Sequence, residues 1–404
     1  MPHGAQVTSD LGVRPSHLHI VDPSLVTRVA VAPYDAMPLD APAAPADPLS
    51  YLHVLRGPDG GDASRHSRRA LRRMLRDGVF RPGPSPGFAW YRLVSGDHVQ
   101  TGLVAEVAVA EYDRGRIVRH EHTRADREEQ IAAYQQAVAV DGGPVALALS
   151  GDHGLDALER AGTSGPPHVW FTADDGVEHA VWTVSDPDQI AGIRDAVQAV
   201  DRLYITDGHH RFAAASRVAA ARRAAGGDPD DPDQWLLAAM FPADELRILP
   251  FHRAVQRPHD STTDEILAEV AARVDVTSLA APTAPAQPGE FVMWLDECWH
   301  RLRVTTVRSR HPLESLEVSR LQRHVLEPVF SVHEPRIDPR LTYVSGGPDA
   351  VASHCDRRGA VGFMVRPTSM AQLMAVADAD LAMPPKSTLF WPKTHAGVVV
   401  RLIA

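Results

Sequence analysis

The sequence has only two cysteines, Cys298 and Cys355, and they lack CxxC spacing. That excludes a disulfide framework and a cysteine zinc site. It has no apolar run approaching the roughly 20 residues that a membrane span needs. Met1 to Asp10 carries no basic stretch followed by an apolar one. No secretory signal is read there, and a cytoplasmic location without membrane partners is expected. Positive charge is not in excess, since the formal net charge is -10. An acidic chain repels phosphate backbones, so nucleic acid is not expected as a partner. Lysine is scarce, and no internal repeat is present.

What is present is an ordinary globular composition, 44% hydrophobic and 23% charged over 404 residues, enough chain for more than one core. Short apolar runs alternate with amphipathic stretches. Strands are predicted at 89–94, 101–109, 145–149, 169–172, 179–184 and 203–206. Helices are predicted at 64–76, 126–138, 188–200 and 211–225. In the second helix Ile131, Tyr134 and Val138 recur at helical spacing. A further helix over 262–274 opens with the capping box Thr262-x-x-Glu265. Towards the C-terminus the pattern predicts strands near 291–296 and 302–307, a helix near 313–327, a strand–helix pair at 362–365 and 369–376, and a last strand at 397–403. Two segments rich in Pro and Ala, 36–49 and 276–289, read as loops or linkers. The fold class is α/β with mixed sheets, an α+β arrangement. Three regions are expected: an N-terminal α/β region at 1–98, a catalytic core at 99–275 and a C-terminal α/β region at 290–404.

The strongest local signal is Leu203-Tyr204-Ile205-Thr206-Asp207-Gly208-His209-His210-Arg211. An apolar strand runs into Asp-Gly, and a helix-forming stretch follows. A strand–turn–helix of this kind aims backbone N–H groups and the positive helix end at one point, which suits an anion. Gly208 lets a ligand approach the backbone. Arg211 can clamp phosphate oxygens with two parallel bonds. His209 and His210 add donors to the same turn. Asp207 is a candidate ligand for a divalent cation. Alone, the turn also has a plainer reading, an Asp-Gly corner capped by His209.

Two other segments join it. One is Arg119-His120-Glu121-His122-Thr123; the other is Met383-Pro384-Pro385-Lys386-Ser387-Thr388. With smaller matches at Ala32 to Asp35, at Phe241 to Ala243 with Leu246 to Pro250, and at Asp338 to Arg340, the chain resembles a bacterial family of formerly uncharacterised proteins. The three landmarks, in the same order, are also similar to those of the free serine kinases. Those enzymes are built on a ParB/sulfiredoxin-like fold and make O-phosphoserine from serine and ADP or ATP. The resemblance implies a ParB/sulfiredoxin-like core at 99–275. It also implies Glu121 as catalytic base, with Asp207 and His209 beside it, and Gly208, His209, His210 and Arg211 as the phosphate site. Lys386, Ser387 and Thr388 would take the acceptor, Mg²⁺ would accompany ATP or ADP with Asp207 as its ligand, and free L-serine would be the substrate. His122 stands where the family usually has lysine, and Phe390 where archaeal kinases tend to have histidine.

Phosphoryl transfer needs a positioned hydroxyl, charge neutralisation and a residue to take the hydroxyl proton. Glu121 suits the last role, and Arg119, His120, His122 and Arg124 are expected to favour its charged form. Lys386 and the two hydroxyls suit a carboxylate. His395 reads as a surface histidine. Three alternatives remain open on the residues: a nucleotide-binding switch, a hydrolase of phosphoesters, and a kinase for another hydroxy-amino acid.

Overall fold

The computed structural model describes residues 11–33, 47–55, 63–151, 153–306 and 309–403. Most of the Pro/Ala segment at 36–49, and Tyr34 and Asp35, lie outside them. The chain folds as two compact units: Met1–Leu246 together with Pro392–Ala404, and Arg247–Trp391. The boundary expected between 98 and 99 falls within a hairpin, Phe88–Ser95 paired with His98–Ala108.

The first unit is organised by a mixed nine-stranded sheet. In order across it run Ile117–Val118, Leu203–Asp207, Val145–Leu149, Trp235–Pro242, His98–Ala108, Phe88–Ser95, Glu178–Val184 and Val169–Thr172, with Val13–Arg14 also on His98–Ala108. The expected strands at 89–94, 101–109, 145–149, 169–172, 179–184 and 203–206 all appear within a few residues of their predicted ends. Trp235–Pro242 was not read from the sequence, although it lies mid-sheet with Leu236 to Phe241 all buried. Both of its faces are covered, so it has no apolar–polar alternation to betray it.

Helix Pro187–Gln198 has Asp186 as its cap and Pro at its first turn, both favourable at a helix start. It contributes Ile193 and Val197 to a core that also takes Leu103, Leu147, Ile205, Phe212 and Met240. Each such buried side chain contributes about 1.5–3 kcal/mol of hydrophobic stabilisation. A smaller four-stranded sheet joins Phe80–Pro82, Leu18–Val21, Val399–Leu402 and Val140–Asp141. It returns the C-terminal strand to this unit. Buried Arg401 anchors that strand by donating to Asp141 at 2.8 Å.

The second unit holds a six-stranded antiparallel sheet in the order Asp275–Leu279, Cys298–Arg303, Glu290–Leu295, Ala360–Met364, His252–Gln256, Leu341–Val344. The capping box predicted at Thr262 and Glu265 forms and opens the helix Thr263–Ala271. The helix expected at 313–327 is shorter at its start: Glu317–Leu321 passes through a widened turn, Gln322–Leu326, into Glu327–Phe330. Among the described residues, no helix is long and apolar enough to cross a membrane.

Candidate active site

The site grows from the end of strand Leu203–Asp207. Apolar Leu203 and Ile205 anchor the strand in the core, and a register shift between Ile205 and Asp207 breaks its ladder with Val145–Leu149. Gly208 then turns the chain at φ +96° into the helix His209–Ala224. That backbone is left-handed, and a Cβ there would lie 2.8 Å from Val145 Cγ1 and 3.0 Å from the Arg211 side chain. Only glycine fits without strain.

Asp207 is the electrostatic centre of the turn. Arg211 Nη2 donates to its Oδ2 at 2.7 Å, and Lys393 Nζ donates to its Oδ1. Burial works to raise the Asp207 carboxyl, but the ammonium and then the guanidinium outweigh it and hold its pKa below the ordinary carboxylate value. Arg211 also donates through Nη1 to the carbonyls of Gly143 and Pro144, both at 3.1 Å. The result is one carboxylate fixing two cations beside the N-terminus of a 16-residue helix.

The Arg119–Thr123 segment meets this turn. The Arg124 backbone N–H donates to His210 Nε2 at 3.3 Å. The His120 and His209 rings meet edge to face, 4.5 Å between centroids. Glu121 Oε2 lies 3.9 Å from His209 Nδ1, and its side chain is 39% exposed, open to a substrate. Burial lowers His209 to a pKa of about 4 and His120 to about 3. Both rings are therefore neutral at physiological pH and act as hydrogen-bonding groups. This corrects the expectation that His120 adds positive charge next to Glu121. Arg124 is likewise engaged elsewhere, paired with Asp126 at 2.5 Å.

The structure thus brings together Glu121, Asp207, Gly208, His209, His210 and Arg211. The residues Lys386, Ser387 and Thr388 belong to the second unit. There Ser387 is buried; its Oγ donates to the Pro384 carbonyl at 2.6 Å and its own carbonyl accepts from Thr368 Oγ at 3.0 Å. Ser387 therefore closes its own turn. Lys386 is exposed, at φ +51°.

A divalent cation at Asp207 does not fit this arrangement. Both carboxylate oxygens already carry a positive partner, and a metal would be a third positive charge on one carboxylate. Among the described residues no group of three or more His, Cys, Asp or Glu is arranged to hold a metal.

Lys393 was missed by sequence reasoning because 186 residues separate it from Asp207. The one available signal was rarity: Lys386 and Lys393 are the only lysines in the chain. His395, expected at the surface, is buried at 8% exposure. Its backbone N–H donates to Tyr91 Oη at 3.3 Å, which helps hold the segment carrying Lys393.

No curated protein sequence matches the chain. Among solved structures, one titled "Free serine kinase in complex with AMP" is similar at 13% identity and a TM-score of 0.34, covering 71% of this chain and 86% of that one. A conserved hypothetical protein from Pyrococcus furiosus gives 12%, 0.33, 71% and 90% for the same measures. SbnI with a C-terminal truncation, from Staphylococcus aureus, gives 13%, 0.36, 71% and 82%. TM-scores this low do not establish a common fold. The profile of one family does match more than half of the chain, over residues 13–319, and the chain belongs to that family, described as a protein of unknown function (DUF1015).

Proposed function

We propose that the chain is a small-molecule kinase that transfers a phosphoryl group from ATP or ADP to the hydroxyl of free L-serine. One observation carries the reading: a carboxylate clamps Lys393 and Arg211 at a glycine-opened helix start, and a second, exposed carboxylate, Glu121, stands beside the same turn. The first half suits polyanionic phosphates. The second supplies a base for an incoming hydroxyl. The order of the three sequence landmarks, similar to that of the free serine kinases, selects serine as acceptor and a ParB/sulfiredoxin-like core as the scaffold.

In this reading the serine hydroxyl gives its proton to Glu121 as its oxygen bonds to the terminal phosphorus. The bond from phosphorus to the bridging oxygen breaks, and the shortened nucleotide leaves with that oxygen. Lys393, Arg211 and the backbone N–H groups after Gly208 neutralise charge on the phosphates. His209 and His210 contribute hydrogen bonds. Lys386 and Thr388 are assigned to the acceptor, and Ser387 holds the turn between them through the Pro384 carbonyl. Asp207 acts by holding the two cations in place, and no step is routed through a metal at its carboxylate. Net charge of -10 disfavours nucleic acid as the phosphate source, and the cytoplasm supplies both nucleotide and amino acid.

Incubation with ATP or ADP, Mg²⁺ and each amino acid in turn, followed by mass spectrometry, tests the reading. Serine should gain one phosphoryl group. Release of inorganic phosphate at the same rate with and without amino acid would make the protein a hydrolase.

A further inference from the structure

Helix Ala125–Val138 has an unusual relation to its own unit. Ile131, Tyr134 and Val138 recur along one face, and such a stripe normally packs into a core. Only Val138 is buried; Ile131 and Tyr134 are half-buried. The reason is that this face fronts a cavity of about 210 Å³. Val145, Leu236, Ala396 and residues 142–144 also line it.

Arg211 lines the same cavity. Its guanidinium therefore belongs to two places at once. One edge holds Asp207 in the phosphate turn; the other donates to the Gly143 and Pro144 carbonyls at the cavity wall. Whatever occupies the cavity lies next to whatever anion occupies the turn.

The lining decides what that occupant is. Its one carboxylate among the described residues, Asp141, is 5% exposed and already committed, accepting from Arg401 and from the Leu237 backbone N–H. Among the described residues no acid is left to receive the ammonium of an amino acid, so the acceptor is a poor occupant. Beside apolar Ile131, Val145, Leu236 and Ala396 the lining carries Gln130, Gln135, Thr394 and two cations, Arg127 and Arg211, and it suits a flat ring system with polar edges that is joined to an anionic group. The volume lies below the roughly 300–1,000 Å³ of pockets that enclose a drug-sized ligand. It is sized for part of a nucleotide, with the phosphates left outside on the turn.

We propose that this cavity binds the nucleoside end of the phosphoryl donor, with Ile131 and Tyr134 against the base and Arg211 marking the passage to the phosphates. The proposal rests on the kinase reading for its phosphate site, and it adds the location and the chemistry of donor recognition.

Calorimetry with two probes separates the two claims. ATP reports base and phosphates together; inorganic tripolyphosphate reports the turn alone. Ile131→Trp, which fills the cavity, should weaken ATP binding about tenfold or more while leaving tripolyphosphate within about twofold. Ile131→Ala, which only removes contact, should weaken ATP about threefold and leave tripolyphosphate unchanged. It serves as the reading if the tryptophan variant does not fold. A folded Ile131→Trp protein, or an Ile131→Ala protein, with wild-type ATP affinity overturns the cavity assignment and leaves the kinase reading intact. So does wild-type protein that binds ATP no tighter than tripolyphosphate. Wild-type protein that binds neither ATP nor ADP overturns the kinase reading, and the cavity assignment falls with it.

Discussion

The two lysines of this chain sit in opposite circumstances, one in each unit. Lys393, in the first, is mostly buried and its ammonium is held by Asp207. Its backbone neighbourhood is pinned as well, since Gln100 Nε2 donates to the Pro392 carbonyl at 3.4 Å and Ala396 pairs with Val31. Lys386, in the second, has a fixed backbone and a solvated head. Arg253, buried without a carboxylate partner among the described residues, donates to the Pro385 carbonyl at 3.1 Å. Lys386 itself adopts φ +51°, and its Nζ lies 5.4 Å from the Phe251 ring centroid. A point charge is pre-placed in one case, and a turn in the other. The first arrangement suits phosphates, whose charge is large and compact. The second suits an acceptor that is gripped by reach and hydrogen bonding.

The largest expected effect tests whether the chemistry lies in the first unit. Glu121→Gln should lower turnover by about 100- to 10,000-fold, the range for loss of a general base, with nucleotide affinity almost unchanged. Steady-state kinetics and calorimetry together check it. A variant with near wild-type turnover would make Glu121 a surface charge and remove the basis for placing the chemistry there.

Acid should strike the first unit harder than the second. Burial lowers His209 to about 4, His120 to about 3 and His179 to about 2, whereas the second unit has one comparably shifted histidine, His252 at about 4. When unfolded, these rings take up protons near the ordinary value of 6.5; when folded, they resist. Their neutral burial is thus fully tolerated above pH 6.5 and becomes progressively destabilising as pH falls through the window down to about 4 and below. The urea midpoint should drop between pH 7 and pH 4.5. Hydrogen exchange should show strand Leu203–Asp207 losing protection before His252–Gln256. Equal losses in both strands would sink the contrast.

Lys393→Met and Lys386→Met form the most direct contrast. Removing Lys393 leaves Asp207 with Arg211 alone, and the expected cost is ~3 kcal/mol, the low end for breaking a buried pair because one cation remains. Removing the exposed Lys386 should change stability by less than about 0.5 kcal/mol. Denaturant unfolding of each variant measures the difference. Equal and small effects would show that the Lys393 pair is no tighter than a surface contact.

Which parts of this were legible in the sequence follows from distance along the chain. The strand–turn–helix at Leu203–Arg211 was visible because strand, Asp-Gly corner and helix are contiguous, and each has a local signature. The Thr262–Glu265 capping box was legible for the same reason. Strand Trp235–Pro242 was not, since a run buried on both faces carries no period. Nor was Lys393, whose meaning depends on a partner 186 residues earlier. The neutrality of His120 was hidden too: it comes from tertiary burial against His209, whereas the sequence presents an apparently charged segment. Ser387 read as a free hydroxyl, and the fold spends its proton on the Pro384 carbonyl.

Thr388 is the hydroxyl assigned to the acceptor in the proposed reaction. Thr388→Val should raise the KM for serine about tenfold, on the scale of one lost hydrogen bond to a charged group, and leave the KM for nucleotide unchanged. The opposite pattern would reassign the tail to the donor.

The smallest effect concerns the left-handed backbone at Lys386, and it asks whether the loop proposed for the acceptor is strained for that task. A non-glycine residue at φ +51° carries a cost of roughly 1–2 kcal/mol. Lys386→Gly removes that cost but adds disorder to the unfolded chain worth about 0.4–1 kcal/mol. The net should be a stabilisation of at most about 1 kcal/mol, or none. Lys386→Met keeps the side-chain bulk and the strain, so it should not share that gain. Both variants lose the ammonium, so both should raise the KM for serine by a similar factor. The loop is then strained for function if glycine is the more stable of the two while binding serine no better. If glycine is clearly the less stable, the left-handed turn costs lysine little, and Arg253, Ser387 and Thr368 hold it against no strain. If only the methionine variant loses serine affinity, the loss comes from bulk beside Phe251, and the ammonium has no part in gripping the acceptor.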